Sequence, residues 1–182
     1  MVHIKREFMK TKIRVIGFGL LCAAVLIAGC ASKGKEIPPY VKDAIGINIT
    51  AAPDLNFFNN QSHTLVLAVY ELSDPNVFKQ MLESSDGVVQ LLEGKQFDAT
   101  VLSRRRATVQ PGEKTSFVMD QAEGARYVAV VAGFYSMQGQ SNFSRLYPIE
   151  LKGGFFWGGG GPQMWIDLRL ARDGIATAPK PS

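Results

Sequence analysis

Gln163-Met164-Trp165-Ile166-Asp167-Leu168-Arg169-Leu170-Ala171 is the stretch on which the fold turns. Met164, Ile166, Leu168 and Leu170 fall two residues apart, with Asp167 and Arg169 between them. A strand repeats every second residue and a helix every 3.6, so this spacing predicts a strand with one face buried and the other in water. The same reading extends outward. Residues 64–72 are apolar on both faces, as a central strand should be, and residues 126–135 form another Val-rich strand. Gly46-Ile47-Asn48-Ile49-Thr50 alternates apolar and polar, and residues 144–151 read as a weaker strand. Residues 104–109 and 114–119 flank Pro111-Gly112, which suits the two central positions of a type II turn, so these two segments are predicted to pair as a hairpin.

Helical signals are confined to about residues 74–94. Ser73-Asp74-Pro75 offers an N-cap followed by Pro at the first helical position, with Phe78, Met81 and Leu82 on one face. Ser85-Asp86 precede Val88, Leu91 and Leu92 at helical spacing, and Gly94 is a stop. The fold class predicted is all-β: a two-sheet antiparallel β-sandwich of seven or eight strands over residues 45–172, with a small helical insert.

The segment before the sandwich has a different composition. Lys5, Arg6, Lys10, Lys12 and Arg14 make a basic start, and Met9 offers a second place for translation to begin. An uncharged apolar run over residues 15–28 follows. It is shorter than the roughly 20 residues a spanning helix needs and matches a signal-peptide core. It ends at Ile27-Ala28-Gly29-Cys30, which resembles the lipobox cut by lipoprotein signal peptidase. In this reading residues 1–29 are a removed signal recognised through Ile27, Ala28 and Gly29. Cys30 carries covalent lipid, and residues 30–44, with Pro38-Pro39, are a tether. Residues 173–182 read as a flexible tail.

Cleavage at Gly29 removes five basic residues and one acidic residue, leaving 15 of each sign, so the mature chain is neutral. A nucleic-acid partner thereby loses its electrostatic support. Cys22 leaves with the signal and lipid takes Cys30, so no disulfide forms within one mature chain. His63 is then the only histidine. Triads and zinc sites want His and Cys in clusters, and the carboxylates are scattered, so the chain reads as neither an enzyme nor a holder of a metal or other cofactor.

Several segments carry a family resemblance: Asn48-Ile49-Thr50-Ala51-Ala52-Pro53-Asp54-Leu55-Asn56, Leu67-Ala68-Val69-Tyr70-Glu71-Leu72-Ser73-Asp74, Phe78, Val109-Gln110-Pro111-Gly112-Glu113 and Tyr127-Val128-Ala129-Val130-Val131-Ala132-Gly133. In this order, directly after a lipobox, they resemble the TssJ family of type VI secretion outer-membrane lipoproteins. The resemblance implies a transthyretin-like sandwich and no catalysis. It implies a lipid-anchored protein on the periplasmic face of the outer membrane. Its partner would be the periplasmic C-terminal region of an inner-membrane, TssM-like component. The contact implied is the loop between the first two strands, here Asn56, Phe57, Phe58, Asn59, Asn60, Gln61, Ser62 and His63. Many members have a Pro-containing loop there.

Each singled-out feature has a plainer reading. Of Phe57 and Phe58, one is expected to plug the end of the core and the other to face a partner, because neighbouring side chains of an extended chain diverge. Phe155-Phe156-Trp157 followed by Gly158 to Gly161 is expected to fold back on the sheet rather than touch lipid. Arg104 and Arg106 should share one strand face and Arg105 the other, as a solvated edge. His63 reads as an ordinary polar surface residue. Two other functions compete with the anchor: a periplasmic lipoprotein whose sandwich binds a small molecule or glycan in an aromatic-lined pocket, and an envelope hydrolase with clustered carboxylates.

Replacing the thiol, Cys30→Ser, is expected to abolish palmitate labelling and leave uncleaved or soluble protein. Ala31 follows the cysteine, where Asp would signal inner-membrane retention in enteric bacteria, so the wild type should fractionate with the outer membrane. Its recovery in the inner membrane would defeat the sorting reading.

Overall fold

The computed structural model describes residues 37–137, 140–150 and 162–176. The signal, Cys30 and the Phe155 to Gly161 stretch lie outside them. The chain divides into two units, and everything below concerns the second, Ile37–Ser182.

The elements run β1 (Val41–Ala51), β2 (Leu65–Leu72), α1 (Asn76–Met81), α2 (Ser85–Leu92), β3 (Val101–Val109), β4 (Lys114–Gln121), β5 (Tyr127–Ala132), α3 (Gln140–Phe143), β6 (Ser144–Pro148), β7 (Met164–Leu170) and β8 (Ile175–Ala176). Two four-stranded sheets, β4-β1-β7-β8 and β3-β2-β5-β6, form the sandwich. In β7, Ile166, Leu168 and Leu170 are buried while Trp165, Asp167 and Arg169 are exposed, as the alternation requires. β2 is buried on both faces because the helical insert covers its outer side. Tyr70 and Phe78 meet there, and the Tyr70 ring meets Phe97 edge-on. The Tyr70 hydroxyl donates to the Leu91 carbonyl, and burial pushes its pKa up to about 12.

Two expectations about pairing are corrected. The Pro111-Gly112 turn forms: Glu113 N–H donates to the Gln110 carbonyl at 3.1 Å, with Gly112 at φ +74°. Yet the strands it joins do not pair. β3 pairs with β2 and β4 with β1, so the turn arches from one sheet to the other. Nor is the sandwich wholly antiparallel, since β1 and β7 run parallel in register from Ile45/Met164 to Ala51/Leu170. The reason is parity. Every connection reverses the chain, so odd-numbered strands share a direction, and β1 and β7 are both odd.

Several boundaries also differ. Pro38 is buried and its carbonyl accepts from Gly124 N–H at 2.8 Å. The Tyr40 hydroxyl and the Asp43 amide both donate to the Asp120 carboxylate. Residues 38–44, expected in the tether, are therefore docked strap and the start of β1. β8, expected in the tail, pairs with β7 and buries Ile175. At α1 no side chain caps the helix and Pro75 stands at the N-cap position itself, with Asp74 accepting from Asn76 N–H at 2.8 Å. At α2, Ser84 rather than Ser85 is the cap, accepting from Gly87 N–H.

The arginine run divides as its alternation implies. Arg105 lies 4.1 Å over the Phe117 ring of β4 and joins the two sheets at their open edge. Arg106 Nε–H donates to the Leu92 carbonyl at the end of α2.

Among the described residues, Glu71 of β2 and Gln121 of β4 are polar side chains buried between the sheets. Glu71 of β2 is fully buried, and its Oε2 accepts from Ala122 N–H at 2.7 Å. Burial pushes its carboxyl above the usual range, opposed by the Ala122 amide and the Ser103 hydroxyl. The fold thus favours the protonated acid, and its ionisation costs stability once pH rises through the raised pKa. Glu71→Gln keeps an acceptor for Ala122 N–H without the charge. It should raise the melting midpoint at pH 7.5, where the native carboxylate bears the cost of its buried charge. The gain should shrink as pH falls through the raised pKa towards the ordinary carboxylate value. Calorimetric melting at both pH values checks this.

Candidate functional site

Because direction alternates, the connections sort onto two ends. The β1–β2 loop, the Pro111-Gly112 turn, the segment after β5 and the β7–β8 turn lie at one end, here called distal. The strap, the β4–β5 connection, the end of β6 and the start of β7 lie at the other, the tether end: Gly124 N–H reaches the Pro38 carbonyl, Ile149 N–H that of Arg126, and Gln163 N–H that of Ala44.

The β1–β2 loop has a built shape. Asn59 and Asn60 both take positive φ, 48° and 61°, and Phe58 and Gln61 exchange backbone hydrogen bonds of 2.9 and 3.0 Å. This is a two-residue type I′ hairpin, which needs positive φ at both central positions. Asn tolerates that conformation better than any other residue except Gly. Adjacent asparagines between two strand segments are the sequence signal for such a turn.

Asn56 turns out to be a structural clamp rather than a partner-facing side chain. It is 3% exposed and adopts φ 48°. Its Nδ2–H donates to the Thr64 carbonyl at 3.1 Å, and its Oδ1 accepts from Tyr135 N–H at 2.8 Å. Leu55, wholly buried, closes the distal end of the core. Phe57 is half-buried, with the Arg172 guanidinium 3.7 Å over its ring, and Arg172 in turn lies 3.7 Å from Asp54. Although the loop itself is uncharged, a paired cation and anion flank it.

Phe58 is the exposed aromatic, at 46%. Its ring stacks on Tyr135 at 4.8 Å and 14°, and His63 meets Tyr135 edge-on at 4.9 Å. His63 Nε2–H donates to the Phe58 carbonyl at 3.0 Å, and the Ser62 hydroxyl donates to that of Pro53. His63 is thus an internal brace of the loop. Asn59, Asn60 and Gln61 are exposed at its tip. Tyr135, 58% exposed, completes the surface and was not among the sequence candidates. Its place after β5 puts it at the distal end by strand parity alone, which is the signal that would have found it.

This end offers an aromatic stack ringed by amide side chains, a surface suited to recognition. Among the described residues no group of three or more His, Cys, Asp and Glu side chains is placed to hold a metal, and no helix is long and apolar enough to cross a membrane. A groove of about 390 Å³ lies elsewhere, against α2. Leu82, Val88, Val89, Met137 and Phe143 line it with Glu83, Ser84 and Ser85. It has a single aromatic, short of the lining a glycan binder would want.

The family described as Type VI secretion lipoprotein, VasD, EvfM, TssJ, VC_A0113 matches residues 43–173. No curated protein matches the chain. Among solved structures, the Serratia marcescens Lip, a membrane-bound component of the type VI secretion system, superposes with a TM-score of 0.63 at 16% identity, over 78% of this chain and 100% of that one. The lipoprotein TssJ1 from Pseudomonas aeruginosa gives 0.55 at 20% identity, over 79% and 99%. A chain in the structure described as T6SS protein TssM C-terminal domain (869-1107) from EAEC gives 0.55 at 16%, over 75% and 98%. At these identities the structures speak for the fold, whereas the family match spans the sandwich from the start of β1 to beyond β7. The chain belongs to the type VI secretion lipoprotein family, whose members are structural lipoproteins of the secretion membrane complex and not enzymes.

Proposed function

We propose that this lipoprotein anchors the type VI secretion membrane complex to the outer membrane. In this reading Cys30 is acylated after removal of residues 1–29. The distal end then grips the periplasmic C-terminal region of a TssM-like inner-membrane component.

The observation that supports the reading is the opposite placement of the strap and the loop. β1 leaves the strap at Val41 and delivers the chain to the distal loop after Ala51, 11 residues on, a rise of roughly 36 Å at about 3.3 Å each. A domain held by lipid at the strap presents Phe58, Tyr135 and the Asn59-Asn60 tip away from the bilayer. The surface is preorganised by the type I′ turn and the Asn56 clamp, so little ordering entropy opposes binding. The likeness to a chain in a structure described by the TssM C-terminal domain supports the choice of partner.

Calorimetry between the purified lipoprotein and the partner's periplasmic domain tests the assignment. Phe58→Ala and Tyr135→Ala should each cost about 2 kcal/mol, roughly thirtyfold in affinity, as aromatic anchors typically do. Replacing residues 58–61 with Gly-Ser should abolish binding and leave the fold intact. Unchanged affinity in that variant would move the interface elsewhere. Asp54 and Arg172 neutralise each other beside the loop, so affinity should change little between low and physiological salt. Asn56→Ala should instead lower the melting midpoint, because it removes two hydrogen bonds and the residue suited to φ 48°.

A further inference from the structure

The two outer faces of the sandwich differ. The helical insert covers β3-β2-β5-β6, but no described element covers β4-β1-β7-β8. The register places its outward residues in three rows across β4, β1 and β7: Val118–Gly46–Trp165, then Ser116–Asn48–Asp167, then Lys114–Thr50–Arg169. The first row is nearest the tether end. Trp165 lies flat over Gly46, where a Cβ would stand only 2.4 Å from the indole. Its other face is open: Trp165 is 51% exposed and Val118 37%. Ile37 and Tyr40 of the strap are 67% and 57% exposed at the same end. The face therefore passes from apolar and aromatic at the tether end, through the Asn48–Asp167 hydrogen bond, to cationic at the distal end.

We propose that the tether end of this face rests on the lipid surface, with the Trp165 indole, Tyr40 and Ile37 at headgroup level. The proposal rests on acylation of Cys30. The strap is docked through the Pro38 carbonyl and the Tyr40 hydroxyl, so few residues separate it from Cys30. Only residues 31–36 separate Cys30 from Ile37, a reach of roughly 25 Å even when fully extended. That is less than the length of β1, so the tether end stays beside the bilayer. Trp and Tyr, apolar with one polar atom, favour the membrane–water boundary. Successive rows stand roughly 7 Å apart, which matches the 5–10 Å depth of interfacial contact and leaves Asp167, Lys114 and Arg169 in water. Lys42, Asp43 and Asp120 are also exposed at this end, and the Asp120 carboxylate already accepts from Tyr40 and Asp43. These charges hold the contact at the headgroups and out of the hydrocarbon.

The chain has two tryptophans, so Trp157→Phe leaves Trp165 as the only indole. The full-length lipoprotein carrying this change, with acylation of Cys30 verified by mass, is placed in phosphatidylethanolamine–phosphatidylglycerol vesicles. Trp165 emission should shift to the blue, lose accessibility to aqueous acrylamide, and be quenched more strongly by headgroup-level nitroxide lipids than by deep ones. Emission unshifted and untouched by lipid nitroxides, in protein that is acylated and floats with the vesicles, overturns the docking and leaves the anchor standing. A blue shift without lipid quenching also overturns it, and assigns the face to a second copy or another protein. A cysteine found without lipid brings down both the docking and the anchor.

Discussion

Everything in this domain hangs on two rows of aliphatic side chains that face each other across the sandwich. Ile45, Ile47 and Ile49 of β1 stand with Ile166, Leu168 and Leu170 of β7, and opposite them lie Leu65, Leu67 and Val69 of β2 with Val128 and Val130 of β5, all in one buried cluster. Each such side chain contributes roughly 1.5–3 kcal/mol by leaving water. Since a one-residue slip in any strand would turn its row outward, the core also enforces the register on which the distal loop, the strap and the outer rows depend. Glu71, between the same sheets, is tolerated because the Ala122 amide meets one of its oxygens.

What was legible in the sequence follows from how far each signal reaches along the chain. The alternation in residues 163–171, the both-sides-apolar β2 and the Gly94 stop depend on neighbours a few residues away, and each could be read directly. The Pro111-Gly112 turn could also be read, but not the sheets to which its flanking strands belong. A turn reports only four residues, whereas pairing depends on partners such as Leu65 opposite Val109 and Thr50 opposite Lys114. β8 was missed because two residues carry no period, and its place is set by β7 alone.

At the candidate site the loop was found through resemblance, while its inner logic was open to physical reading and was only partly read. Phe57 and Phe58 face different neighbours, but neither plugs the core as expected, because Leu55 closes that end and Phe57 stays half-buried under Arg172. The place of Arg172 over Phe57 was not legible, since nothing local brings together residues so far apart in the chain. Asn56 was mistaken for a surface residue. Its side chain satisfies the backbone of two other segments, a role that composition does not reveal. Tyr135 shows the converse case, in which counting strand reversals suffices to place a residue beside a loop distant in sequence.

The central position of β1 has a mechanical meaning. One strand links the strap to the distal loop, and it is hydrogen-bonded along both edges, to β4 on one side and β7 on the other. In the proposed reading, a pull between lipid and partner would run along that strand and be carried by its covalent backbone, while the ladders on both sides hold it in place. If both attachments are as proposed, tension would cross the domain through one continuous strand rather than through hydrogen bonds that could be unzipped one at a time.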